Sequence, residues 1–190
     1  MNVLPATLGA SDEHYRRLGV SRDRIELWED GMRTDGGKGT YEWWYFDAYL
    51  NDGSKLAITF RTKPIIDVGK ALDPWIDFNL ERADGTSVVK HLHIEPEHFS
   101  ASKETCDVAM GSNTFKGDLH TYSIHVDAEG IVVDVSLTGI TLAWRPLFWR
   151  ARRVLLCLAA FAQVLTHLGL LKSIQEPVLF ARALGNALCL

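Results

Sequence analysis

The stretch TYEWWYFDAYLNDGSKLAITF, residues 40–60, sets the reading of the whole chain. Aromatic and β-branched residues fill both of its ends, and Asn51-Asp52-Gly53-Ser54 between them is the kind of loop that closes a hairpin with a residue in the left-handed region. In an extended strand successive side chains take opposite faces. One face then carries Glu42, Trp44, Phe46, Ala48 and Leu50, and the other Tyr41, Trp43, Tyr45, Asp47 and Tyr49. Both faces are aromatic, and each holds one carboxylate.

The same grammar repeats downstream. WIDFNLE, RADG and TSVVKHLHIE form a second strand–turn–strand unit, with Ala83-Asp84-Gly85 at the turn, and HTYSIHV, DAEG and IVVDVSL form a third around Ala128-Glu129-Gly130. No helical period separates them, so residues 40–146 are expected to form an all-β domain of six or seven antiparallel strands, a barrel or a sandwich. Residues 1–39 are polar and turn-rich, ending in TDGGKGT, and are expected to be an irregular lead-in.

Composition narrows the partners. The chain has 190 residues, is 47% hydrophobic and carries a formal charge of -4, enough for one domain with a core but without a basic field for a phosphate backbone, which sets nucleic acid aside. Cys106, Cys157 and Cys189 are odd in number and far apart, fitting neither a disulfide framework nor a structural zinc site. With no secretory signal at the N-terminus, the expected compartment is the reducing cytoplasm.

The residue pattern leaves two readings of the aromatic strand open. Either the Glu42 set is core and the Asp47 set a half-covered outer face, or one set lines a cavity for an apolar ligand. A carboxyl among rings would lose hydration and serve as a proton donor near neutral pH, and ring faces would attract a developing carbocation. His91, His93 and Glu95 share a strand face with His98 nearby, a spacing that suits a metal but is produced equally by a polar outer face, so no metal is expected. Cys106 reads as an ordinary buried thiol. Neither a nucleophile elbow nor a phosphate loop is present.

EDGMRTDGGKGTYEWWYFDAYLNDGSKLAITF, WIDFNLERADGT, FKGDLHTYSIHV and GIVVDVSLTGITLAWRP together resemble the N-terminal half of the lipocalin-like AttH and carotenoid 1,2-hydratase (hydroxyneurosporene synthase) family over residues 25–146. Glu42-Trp43-Trp44-Tyr45 is the most specific part of the match. The resemblance implies two consecutive lipocalin-like β domains in a full-length member, and activities that include hydration of carotenoid or prenyl double bonds and intramolecular Diels-Alder cyclisation of polyenes. It implies no cofactor and an apolar polyene, prenyl or polyketide-derived partner, and it carries over Glu42, Trp43, Trp44 and Tyr45 as a motif; with the desolvation argument above, Glu42 is the candidate catalytic acid and Trp43, Trp44 and Tyr45 are the candidate substrate contacts. The alternative is a non-catalytic small-molecule carrier or an inactive truncated member.

After TLAWRP the resemblance stops. Residues 147–190 hold Arg150, Arg152, Arg153, Lys172 and Arg182 against the single acid Glu176, so this tail is basic and the first 146 residues are strongly acidic. Within it VLLCLAAFAQVLTHLGLL, residues 154–171, has no charged side chain and a Leu/Ala content that predicts helix. At 18 residues with Gln163, Thr166 and His167 inside, it is favoured as a helix packed on protein over a membrane span, which needs about 20 predominantly apolar residues. Codons one base out of frame at FWRARRVLLCLAAF would allow Phe-Gly-Glu-His-Asp-Glu-Tyr-Tyr-Phe-Ala-Trp-Leu-Pro, which resembles the family's next segment. The tail is therefore read as the product of a frameshift or a retained intron. The nucleotide sequence tests this: the shifted frame should continue as family-like coding sequence, and early stop codons there would end the idea.

Overall fold

A computed structural model describes residues 11–140 and 142–143 and, as backbone alone, the strands Leu155–Gly169 and Ile174–Cys189. Nine strands lie before the tail: β1 (Tyr41–Leu50), β2 (Lys55–Arg61), β3 (Trp75–Glu81), β4 (Ser87–His93), β5 (Phe99–Ala101), β6 (Cys106–Met110), β7 (Asn113–Gly117), β8 (Thr121–Asp127) and β9 (Val132–Gly139). β1–β4 form one antiparallel half and β5–β9 the other. The three expected hairpins are present, with Gly53, Gly85 and Gly130 each at positive φ in the turn. Three further pairs of consecutive strands, β5–β6, β6–β7 and β7–β8, lie outside the sequence expectation; β5 has three residues and β6 and β7 five each, and CDVAM shows few strand letters.

Alternation then builds the core. Trp44, Phe46, Ala48 and Leu50 of β1 point inward with Leu56, Ile58 and Phe60 of β2 and Ile76, Phe78 and Leu80 of β3, and from the other half they meet Val108, Phe115, Ile124 and Val135 in one cluster. Phe60 and Phe115 pack edge to face across the two halves, ring centroids 5.7 Å apart. The arrangement is a sandwich of two half-sheets. β4 and β5 end the strand order without pairing with each other, so the sheet does not close into a barrel.

Two expectations are corrected. Inside the lead-in, Asp12–Leu18 form a helix, α1, capped by the Ser11 side chain at its start and by Gly19 at φ 69° at its end. SDEHYRRLG carries both signals, which the polar composition concealed.

The tail is the second correction. The segment expected as helix is strand β10 (Leu155–Gly169), followed by β11 (Ile174–Cys189), and the two lie between β9 and β1. The inner edges of β1 and β9 otherwise offer rows of unpaired N–H and C=O groups, and two extended segments satisfy them. The β10–β11 register shifts in three places, whereas β8–β9 pairs without a shift. Against β9 the same strand β10 keeps one register over eight pairs, so the irregularity lies between the two tail strands. Among the described residues no helix is long and apolar enough to cross a membrane.

Removing the ring that joins the halves is expected to destabilise the domain by about 3–5 kcal/mol. Urea unfolding of Phe115→Ala measures it, and a change below about 1 kcal/mol would contradict a shared core.

Candidate functional site

The segment before β1 crosses the end of the core as a strap. Leu27–Asp30 form one 3-10 turn, with Glu29 closing a capping box on the Glu26 backbone. Gly31 follows so close to Lys103 that an added Cβ would lie 2.8 Å from its carbonyl carbon, so a side chain there would force the chains apart. Met32 N–H then donates to Ser102 O at 2.7 Å.

Glu42 holds this strap from the other side. Its side chain is fully buried, one carboxylate oxygen accepts Arg33 N–H at 2.8 Å, and the other accepts Thr34 N–H at 2.6 Å and the Thr34 hydroxyl. Trp44 donates its indole N–H to Asp30 O at 3.1 Å, and Tyr122 on β8 donates its hydroxyl to Asp30 Oδ2 at 2.6 Å. Glu42 and Trp44 belong to the first half and Tyr122 and Ser102 to the second. The strap is thereby bonded to both.

The four residues singled out from the sequence are split by the sheet. Glu42 and Trp44 lie on the inner face, both at 0% exposure, while Trp43 and Tyr45 lie on the outer face, half-buried. Trp43 packs on Tyr41 with centroids 5.0 Å apart, and the Tyr45 hydroxyl bonds to Asp47 at 3.3 Å. Asp30 and Tyr122 had no sequence signal, being 92 positions apart. The strap residues Arg33 and Thr34 sat in a polar stretch read as irregular.

The histidines are spread over separate partners. His91 Nδ1 is 2.7 Å from Asp77, which also accepts from Arg61, and His93 Nε2 is 2.7 Å from Asp73 with its ring against Trp75. His125 faces Asp134 at 2.7 Å. Among the described residues no three His, Cys, Asp or Glu side chains are grouped to hold a metal. Buried Lys63 donates to Gly37 O and Lys70 O, tying together the loops on either side of β1 and β2; burial lowers its pKa against the raising fields of Asp35 and Asp73.

Cys106 is buried against Phe115 O, and burial pushes its thiol pKa well up, with Asp30 and Asp107 adding to the shift. A thiol that stays protonated and covered is a poor nucleophile. Iodoacetamide should leave Cys106 unmodified in the folded protein and label it only on unfolding, as peptide mass mapping would show.

The chain has the fold of a protein assigned as AttH from Nitrosomonas europaea, at TM-score 0.59 and 13% identity, covering 98% of this chain and 58% of that one. CghA with Sch210972 and CghA without it match at TM-score 0.53, with 18% and 17% identity, over 79% of this chain and 45% of CghA. The chain thus spans about half the length of these structures. No family model matches the sequence, and no curated protein does.

The strap geometry gives a direct expectation. Glu42→Ala leaves two backbone N–H groups and a hydroxyl without their acceptor and should cost about 2–4 kcal/mol. Hydrogen exchange should quicken at Arg33 and Thr34 while the β8–β9 amides stay protected; uniform loss of protection would deny the strap a separate role.

Proposed function

We propose that this protein acts on an apolar polyene, prenyl or polyketide-derived small molecule as a cofactor-independent hydratase or cyclase. The observation that carries the reading is the likeness of fold to AttH and CghA, the latter in a structure with the small molecule Sch210972. The Glu42-Trp43-Trp44-Tyr45 motif at the strap supports it. The setting is a reducing, cytoplasmic compartment.

In a hydration, Glu42 gives its proton to one alkene carbon, the adjacent carbon becomes cationic, and water adds there and returns a proton to the carboxylate. Aromatic faces lower the energy of the cation. Because Arg33 N–H, Thr34 N–H and the Thr34 hydroxyl all donate to the Glu42 oxygens, this step needs the strap to lift and the carboxylate to take up a proton from water before it gives one. A cycloaddition needs no proton transfer. Holding the chain in a near-attack fold contributes on the order of 7 kcal/mol or more.

A carrier is the second reading. An inactive truncated member stands beside it, and is favoured by inward rings, Trp44, Phe46, Phe60, Phe78 and Phe115, that lie in one core cluster with no exposure and so present no free face to a ligand.

The test is turnover of conjugated polyenes by the purified chain, followed by loss of absorbance, beside Glu42→Gln with its folding checked by circular dichroism. Hydration predicts a fall of about 100-fold or more in the folded variant. An unchanged rate would assign the chemistry to shape alone, and binding without turnover would leave the carrier. If the wild type neither binds nor converts any polyene, the reading fails.

A further inference from the structure

We propose that residues 33–40, the end of the strap nearest β1, are a flap that opens from its glycine-rich side, with the buried amine of Lys63 as the latch released first. Two groups of opposite charge grip this segment. Glu42 on β1 accepts the N–H groups of Arg33 and Thr34. Lys63, just past the end of β2, donates from Nζ to Gly37 O at 2.7 Å and to Lys70 O at 2.9 Å. Thr62 couples the two grips, since its N–H donates to Glu42 O at 2.9 Å and its hydroxyl accepts Glu42 N–H at 3.0 Å.

The two sides of the flap are built differently. On the side of Gly31 there is no room against Lys103, and Met32 N–H is bonded to Ser102 O, so the chain is pinned to the second half of the sandwich. On the other side Gly36 and Gly39 stand at φ 70° and 86° with Gly37 between them, which makes this the part of the strap best able to change direction. Gly39 N–H donates to Val68 O at 2.8 Å, so this side leans on the same loop that Lys63 holds through Lys70.

The grips differ in the same sense. Glu42 takes three donors, two of them backbone N–H groups, while Lys63 meets two neutral carbonyls. Lys63 is wholly covered, and burial lowers its pKa although Asp35 on the flap and Asp73 on the loop before β3 act to raise it. The closed flap therefore keeps an ammonium away from water that opening gives back. Release starts at Gly37, where the glycines let the chain swing, and reaches Thr34 and Arg33 afterwards. Only that second stage uncovers Glu42. In the hydration reading this is the lifting that the carboxylate needs, and that use of the flap rests on the reading; the flap itself involves no polyene and fails or holds without one.

Residue-resolved hydrogen exchange of the full chain tests the latch and the order of release. Lys63→Met, which keeps the reach of the side chain without its donors, should speed exchange about ten-fold or more at Gly39 and Thr40 and, along the same path, at Arg33 and Thr34, with the β8–β9 amides unchanged. Glu42→Ala should speed Arg33 and Thr34 alone and leave Gly39 and Thr40 as in the wild type. Unchanged or uniformly lost protection in Lys63→Met, or faster exchange of Gly39 and Thr40 in Glu42→Ala, overturns the proposal. If Lys63→Met does not fold, acetylation of the wild type with acetic anhydride decides: Lys63 should react at the rate at which Gly39 opens. Reaction as fast as that of exposed Lys38, or only on global unfolding, overturns the latch.

Discussion

The bond between the Glu42 carboxylate and the backbone of Arg33 and Thr34 is the constraint that fixes the strap and, with it, the covered end of the sandwich. A sandwich of two half-sheets has an open end, and a buried peptide N–H there without an acceptor costs about 1–3 kcal/mol. Glu42 supplies acceptors to two such groups at once. With Glu42 in place the strap stays down, and its Asp30 can accept from Trp44 through the main chain and from Tyr122 through the carboxylate. The two halves are then held by polar bonds at their end as well as by the Phe60–Phe115 contact within.

This gives the paired tryptophans separate physical duties. Trp44 is wholly inside, where its ring fills the core and its N–H finds a carbonyl, as a buried indole requires. Trp43, one residue earlier, stands on the other face beside Tyr41 and opposite Arg61. A four-residue motif on a strand cannot gather its side chains in one place, since neighbours diverge. Glu42 and Trp44 therefore serve the strap, whereas Trp43 and Tyr45 belong to the outer surface.

Much of this was legible in the sequence wherever a rule is local. Alternation in YEWWYFDAYL separated the two faces without choosing between a core and a cavity wall, and the glycines at 53, 85 and 130 located three hairpins because a left-handed residue is a local requirement. The missed parts are non-local. Asp30 finds Tyr122 across most of the domain, and no spacing rule reaches that far. The tail was misread for the same reason: Leu and Ala favour helix on their own, but the open edges of β1 and β9 impose a tertiary demand that intrinsic propensity does not contain.

The edges also explain why the tail and the domain are such unequal partners. β8 and β9 keep one register through seven pairs because each has a buried face that a one-residue slip would turn outward. β10 meets β11 with repeated shifts, and Pro177 sits within the pairing although it has no N–H to give. Backbone complementarity alone can recruit any extended segment of sufficient length. The strands of residues 41–139 alternate buried and exposed side chains, a period that the sequence of the tail lacks, and the tail keeps one register against β9 while shifting against β11.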